Sequence, residues 1–533
     1  MAQGTGNYTI LSNIQSGYTD GGIEKQVPVT SEGHLEVAVH SPRLPFGSLH
    51  TENLTPIFQS DGVYGLNSTN QLATTSGSGT ATTENSSFKV STGTTIYSVG
   101  AIQSRKRLRY RPGQGTVLRF AATFTTGVAD SYQVAGQGHS EDGYFFGYKN
   151  STFGILHNKR GVREVQTLTV TTGATSNGNV TITLNSVAFT VAVTNASNIQ
   201  RTVWEISQGT YAGWRAEPRG ATVVFLANDA GVKSGTFSFN AGTTGSAATI
   251  ASTRAGVAAT ETFIPQSSWN GDVMDGGADA DNPSGVLLDP TKGNVYQIQM
   301  QYLGFGSVSF WIETATSGRN NAEFVCVHTI KNPNNLTDTH VGNPSMPFTM
   351  AVYSAGSTTD LSIKVGSFGG FIEGQKVLHG NRYSYFNQLT TVGATNYQAL
   401  FTVMNTRYFK GVTNQSVINI ISTSGALKHT QPCVFYIIKN GTLTGNPNFS
   451  QYATDSCSYV DTSATTVSVT SNDQIIWSGH LGETGEYDHH FGNGTFNAEE
   501  FTLQPGEWLT LAAKASTGTP AYVTGSINTR EDQ

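Results

Sequence analysis

The stretch Thr116-Val117-Leu118-Arg119-Phe120-Ala121-Ala122-Thr123-Phe124 places apolar side chains at every second position, and Gly143-Tyr144-Phe145-Phe146-Gly147-Tyr148 follows it as an aromatic run bounded by glycines. In an extended chain alternate side chains share a face, so Leu118, Phe120, Ala122 and Phe124 form one apolar surface. Such a surface needs a second sheet to cover it. The same alternation returns much later, over Asn294 to Tyr302, Val308 to Thr314, Phe324 to Ile330 and Leu361 to Val365. A β core split in sequence is expected.

The composition agrees with strands and turns. Charged residues make up only 12% of the 533 residues, while Gly alone supplies 60. Helix surfaces are dressed with Glu, Lys, Arg and Gln, whereas Thr, Val, Tyr and Phe separated by Gly and Asn suit strands. With 37% hydrophobic and 10% aromatic residues, the chain has enough apolar surface to offset its conformational entropy, which argues against disorder. The length calls for roughly three or four cores. A net charge of −6 gives no overall attraction to nucleic acid. The start, Met1-Ala2-Gln3-Gly4-Thr5, lacks the basic and apolar regions of a secretion signal, and no apolar run approaches membrane-spanning length, so a cytosolic origin without membrane insertion is expected. Cys326, Cys433 and Cys457 have neither a zinc spacing nor a CxxC redox spacing, and Cys326, in Phe324-Val325-Cys326-Val327, reads as a small buried hydrophobe in a strand.

The expected architecture is mainly β: tandem antiparallel β-sandwich or jelly-roll-like domains with a small α+β insertion. Residues 1–87 read as an extended arm and linker, because prolines such as Pro42, Pro45 and Pro56 oppose central-strand pairing and Ala73 to Ser87 is low in complexity. Residues 88–163 and 259–386 form the split sandwich, 164–258 the inserted module, and 387–533 a C-terminal sandwich. Within the insertion, Ile199, Val203 and Ile206 sit at helical spacing behind a cap at Asn195, predicting a helix over 196–208. Gln504-Pro505-Gly506-Glu507 predicts a turn before a late strand.

Several constellations could carry chemistry. In Arg105-Lys106-Arg107-Leu108-Arg109-Tyr110-Arg111, an extended chain would put Arg105, Arg107, Arg109 and Arg111 on one face. Four guanidiniums in a row need anions: carboxylates of a neighbouring subunit, a sulfated or acidic glycan, or nucleic acid. The simpler reading is a solvated edge strand. The acidic loop Asp272 to Asn282 offers Asp275, Asp279 and Asp281 as oxygen ligands, for which calcium is the natural guest, although the spacing is not that of an EF-hand and a flexible acidic loop is favoured. Trp214 and Trp269, flanked by Gly, Arg, Ser and Asn, are the candidates for exposed, glycan-stacking rings. Glu486-Tyr487-Asp488-His489-His490 reads as a polar loop rather than a metal site, since adjacent histidines on a strand face opposite ways. His139-Ser140-Glu141-Asp142 holds base, hydroxyl and acids, but adjacency does not make a triad. No GxSxG, HExxH, GxxxxGK[ST] or strand-to-helix GxGxxG motif occurs, so no enzyme and no cofactor beyond calcium is expected.

The segments Ser104 to Gly115, Glu141 to Tyr148, Leu288-Asp289-Pro290-Thr291-Lys292-Gly293-Asn294-Val295-Tyr296 and Ser526-Ile527-Asn528-Thr529-Arg530-Glu531-Asp532 together resemble a family of large virion structural proteins of tailed phages of aquatic bacteria and some large DNA viruses. The resemblance covers most of the chain from about Leu44 onward and brings no catalytic motif with it. It implies a particle component whose partners are further copies of itself and other virion proteins. With the arm-then-sandwich layout, the leading expectation is a tail, baseplate or fibre-associated subunit. A capsid-surface protein, a receptor protein recognising a host-surface glycan and a polysaccharide depolymerase are the alternatives.

Overall fold

The computed structural model describes residues 16–18, 24–26, 54–277, 279–315, 322–376, 379–389, 391–427, 432–482, 486–490, 501–517 and 522–533. The chain divides into two units, 1–51 and 52–533. In the first, Ser16–Tyr18 pairs antiparallel with Glu24–Gln26.

The second unit is mainly β, with several antiparallel sheets stacked as sandwiches. One seven-stranded sheet runs in the spatial order Thr260–Pro265, Thr152–Lys159, Gly143–Lys149, Ser131–Gly138, Phe348–Ser354, Val99–Ser104, Gln71–Ser76. Its partner has Ala322–Ile330, Val308–Ala315, Asn294–Met300, Thr116–Phe124, Ser362–Glu373, Ser87–Ser91 and Thr80–Glu84 in order, with Leu54–Asp61 added alongside Ser362–Glu373. The alternation in Thr116–Phe124 decides which face is inside: Leu118, Phe120, Ala122 and Phe124 enter the core, while Arg119 points outward over the rings of Phe324 and Phe371. Across the gap, Phe146 meets Tyr296 at 4.8 Å and Phe120 meets Phe348 at 5.6 Å between ring centroids, contacts typical of aromatic packing. Gly147 is required where it stands. A Cβ there would lie 1.8 Å from the carbonyl oxygen of Gln133 on the neighbouring strand.

The arm and linker expected over 1–87 are corrected for residues 54–87, which form strands of these two sheets. Pro56 is tolerated because its strand joins the sheet beside a bulge between Gly370 and Phe371, where a missing N–H does least harm. The Ser/Gly-rich segment carries the chain from one sheet to the other: Gln71–Ser76 belongs to the first and Thr80–Glu84 to the second. Gly77 makes the crossing in a left-handed conformation, at φ +61°.

Residues Arg163–Thr172, Trp214–Arg219, Thr222–Ala230 and Ala247–Arg254 form a four-stranded sheet, and Gly178–Leu184, Val187–Val193 and Ser238–Asn240 a three-stranded one. A helix, Ile199–Ser207, packs its Val203 and Ile206 into the core between them. Its cap is Asn198, whose side chain accepts from the Arg201 N–H at 3.0 Å, and not the expected Asn195. The N–H groups of Ala196 and Ser197 both reach back to the Ala174 carbonyl, and Ser197 is left-handed, so the helix starts later.

Two further sheets close the chain. One contains Asn381–Leu389, Val523–Asp532, Val417–Leu427 and Glu486–His490, with Thr502–Leu503 at its side. The other runs Thr442–Gly445, Ala464–Ser468, Tyr397–Asn405, Trp508–Ala515, Cys433–Lys439, Ile475–Leu481. Tyr385, Phe401, Phe435, Leu511 and Ile527 fill the space between them. The turn at Gln504–Glu507 forms as expected: the Glu507 N–H bonds the Gln504 carbonyl at 3.0 Å, and Gly506 takes φ +86°.

Candidate functional site: a charged junction between the sandwiches

The arginine run is fixed first by Leu108, which is fully buried and donates its backbone N–H to the Met346 carbonyl at 2.8 Å. With Leu108 turned inward, Arg107 and Arg109 take the opposite side, as alternation requires. The expected single row of four does not form. A bend follows Ser104, the Arg105 N–H bonds the Asn70 carbonyl, and the Arg105 side chain reaches the Ser68 carbonyl.

Arg109 and Arg111 meet an anion of their own chain. Arg111 binds Asp532 at 2.8 Å, Arg109 approaches the other oxygen of the same carboxylate at 3.5 Å, and Arg109 donates to the Gln415 carbonyl at 3.2 Å. Asp532 ends the last strand of the C-terminal sandwich, so the run clamps one sandwich to the other. Burial, with Arg163 and Arg109 close by, pulls the Arg107 guanidinium down to about 10, against the field of Glu507. Buried cations of like sign repel, which is why each carboxylate at this junction matters.

His139-Ser140-Glu141-Asp142 belongs to the same junction as bracing. Glu141 pairs with Arg163 at 3.0 Å and accepts from the Thr413 hydroxyl at 2.9 Å. The Asp142 carboxylate accepts from the N–H groups of Arg160, Gly342 and Asn343, all within 3.0 Å, yet burial still raises its pKa. The Ser140 hydroxyl accepts from the Ala230 N–H at 3.1 Å. His139 accepts the Glu141 N–H on Nδ1, so its Nε2 carries the proton and the Gln415 amide, 3.2 Å away, must present oxygen to it. Burial, reinforced by Arg163 and Arg107, holds His139 well below its ordinary pKa and neutral. Base, hydroxyl and acids are thus spent on different segments.

A second weld joins the inserted module to the C-terminal sandwich. Glu217 accepts from the Thr406 hydroxyl at 2.6 Å, the Arg407 N–H at 2.8 Å and Arg219 Nε at 2.9 Å. Burial pushes its carboxyl up, but Arg219 and Arg407 outweigh this and hold it below the usual range. Beside it, Trp204 on the helix stacks on Phe449 at 5.9 Å, meets Trp508 edge-on at 6.0 Å and donates Nε1–H to the Leu443 carbonyl at 3.1 Å. Arg201 adds a bond to the Gly445 carbonyl. Asp532, Glu217 and Trp204 escaped the sequence reading. For Trp204 a signal existed: it is the large apolar residue lying just outside the Ile199, Val203, Ile206 stripe, and so marks a second buried face.

The other candidates fall elsewhere. Trp214 and Trp269 are each 5% exposed, which corrects their expected role as glycan platforms. Trp214 packs edge-on against Phe237 inside the inserted module, and Trp269 lies against Phe146 and Phe153 in the first core. Their polar neighbours in sequence misled because burial is decided by partners distant in the chain. The acidic loop turns its carboxylates on its own backbone: Asp275 accepts from Gly277 N–H and the Asn282 amide, and Asp279 from the N–H groups of Asp281 and Asn282. Among the described residues no group of three or more His, Cys, Asp or Glu is placed to hold a metal ion. Glu486–His490 is a strand paired with Val417–Leu427, not the expected loop, and the side chains of His489 and His490 lie outside the described residues. Cys433 and Cys457 are buried and Cys326 partly so, and burial pushes the Cys433 thiol up to about 11. Among the described residues no helix is long and apolar enough to cross a membrane.

No family model matches the chain, and no curated protein matches it. Among solved structures it is similar, at 9% identity and a TM-score of 0.21 over 67% of its length, to an engineered GH43 glycoside hydrolase with endo-xylanase and exo-arabinofuranosidase activity, of which it spans about half (48%). It is also similar to the Faustovirus major capsid protein, at 7% identity and a TM-score of 0.13, covering 93% of this chain and 92% of that one. At these scores neither likeness bears on fold or function.

Proposed function

We propose that the chain is a structural subunit of a virus particle, carried on its exterior in a tail, baseplate or fibre-associated assembly. The observation that carries this reading is the pair of welds: Asp532 with Arg109 and Arg111, and Glu217 with Trp204 and Arg407, bind two sandwiches and the inserted module to one another. Their titratable side chains brace neighbouring segments instead of converging on a point where a substrate atom could react. A body locked in this way resists shear between its parts and offers broad strand faces to neighbours. Its partners are further copies and other virion proteins, and the separate unit of residues 1–51 is the segment that attaches to them. Because the arginine run serves its own chain, subunit contacts use outward faces such as the groove beside Phe386, which is 63% exposed next to Ser424, Ser526 and Glu486.

The test is immunogold labelling of intact particles with antibody to the full chain, followed by a reconstruction of the particle. Label and density on the tail or baseplate are expected. Density confined to the capsomers refutes the tail position in favour of a capsid-surface protein, and absence of the chain from purified particles by mass spectrometry refutes the virion role.

A further inference from the structure

The outward face of the C-terminal sheet is ordered by strand register. Tyr385 is 1% exposed and fills the core, so Arg382, Ser384, Phe386 and Gln388 of the same strand point the other way. Pairing through Val523–Asp532 and Val417–Leu427 to Glu486–His490 sets Phe386, Ser526 and Ser424 in one row and Gln388, Thr524, Ala426 and Glu486 in the next. The two middle strands carry short side chains there, and these, with Gly425 and Gly525, floor a trough of about 610 Å³ between Phe386 and Glu486. The polar groups of the floor are spent on one another: the Ser424 and Ser526 hydroxyls bond at 2.7 Å, and the Asn528 amide donates to the Ser422 hydroxyl at 2.9 Å. Phe386 stays 63% exposed beside them.

The charges of this face stand at opposite corners. Arg382 lies beside Arg530 in the register at one end, and Glu486 lies three strands away at the other. Strand geometry sets Arg382 and Glu486 about 14 Å apart across the sheet and about 20 Å apart along it, too far to pair within one chain. Both are exposed. A polyanion would be repelled by Glu486 and a polycation by Arg382, whereas a second copy of the same face meets each with the opposite charge. A two-fold axis in the plane of the face, running across the line that joins the two corners, carries each Arg382 onto the partner's Glu486. On the same spacings Phe386 falls close to that axis, so the two rings pack on each other over the short floor residues. The strands of the two copies then cross steeply, as in orthogonal sheet packing. We propose that this face is a self-complementary interface between two copies of the chain, with Phe386 at its centre and reciprocal Arg382–Glu486 pairs at its ends. The inference rests on the reading of this groove as a subunit contact and names its occupant. The face covers roughly 300 Å² per copy, below the about 800 Å² per partner of a stable complex, so the contact is weak alone and is strengthened by repetition in an assembly.

The experiment is sedimentation velocity of the full chain over about 1–200 µM at low salt. A reversible monomer–dimer equilibrium with Kd on the order of 10–100 µM is expected, as suits a small interface. Arg382→Glu and Glu486→Arg are each expected to weaken it about tenfold or more, because like charges then face each other at both ends. An equimolar mixture of these two variants, and the chain carrying both changes, are expected to regain it, because opposite charges face again. Phe386→Ser is expected to weaken it without touching the core, since the ring is exposed. A chain that stays monomeric to the highest concentration, dimerisation that both single variants retain, or a mixture that associates no better than either variant alone would each overturn the proposal. Recovery in the mixture also shows that both variants fold. The outcome is separable from the virion reading: a monomeric chain found on particles sinks the interface alone, and a dimer missing from particles sinks the virion role alone.

Discussion

Trp204→Ala is the sharpest perturbation of the proposed rigid body, because the ring sits on the outer face of its helix and contributes to the weld rather than to the module's own core. Trp204 is 2% exposed. Burying an indole removes ~150–250 Å² from water, which at about 25 cal/mol per Å² corresponds to ~4–6 kcal/mol. Aromatic-to-alanine truncations in cores cost about 3–5 kcal/mol. The Leu443 carbonyl also loses its donor, a further ~1 kcal/mol. About 4 kcal/mol is therefore expected, concentrated where the ring sits. In a chain with several cores a single unfolding free energy is poorly defined, so the assay is hydrogen exchange resolved by peptide. Peptides covering 199–208 and 441–450 are expected to exchange roughly a thousandfold faster, since each 1.4 kcal/mol is tenfold. Peptides covering 116–124 and 143–149 are expected to be unchanged. An effect below tenfold, or an equal acceleration everywhere, would show that Trp204 does not anchor the junction.

Asp532→Asn removes the counter-charge shared by Arg109 and Arg111 and is expected to cost the junction about 3–5 kcal/mol, read as faster hydrogen exchange in peptides covering 105–115 and 523–533; an acceleration below about fivefold would mean the clamp is not stabilising. Gly147→Ala drives a Cβ toward the Gln133 carbonyl and is expected to cost about 1–3 kcal/mol or more by forcing two central strands apart, and an unchanged Tm would contradict the strand spacing. Burial draws His157, His328 and His340 down to about 4, and holds His139 well below its ordinary value. The unfolded chain takes up these protons near pH 6.5 while the folded one does not, so stability is full above that pH and falls as pH drops from about 6.5 toward 4. Tm followed from pH 7.5 to 4.5 is expected to decline over that window, less steeply in His340→Asn, and a flat profile would disprove the neutral buried state.

The β class was legible because alternation is a local property. Leu118, Phe120, Ala122 and Phe124 declare a two-residue period within nine positions, and the turn at Gln504–Glu507 follows from its own four residues. The helix was legible for the same reason, and its cap was missed because the Ala174 carbonyl, more than twenty residues away, captures the preceding N–H groups. Residues 54–87 were misread for a related cause: prolines and low complexity describe a strand's own preferences, whereas the bulge at Gly370 that admits Pro56 lies three hundred residues on.

What the sequence alone determined is therefore the kind of element each segment forms and the existence of four arginines that needed anions. Which anions they meet was decided by tertiary structure, since Asp532 lies more than four hundred residues from Arg111 and only the packing of the last strand brings them to 2.8 Å. Trp214 and Trp269 make the same point with the opposite sign: polar neighbours in the chain suggested exposure, and Phe237, Phe146 and Phe153 close over them. The period of a strand is written in adjacent residues, whereas burial and charge compensation are properties of surfaces that exist only once distant strands have paired.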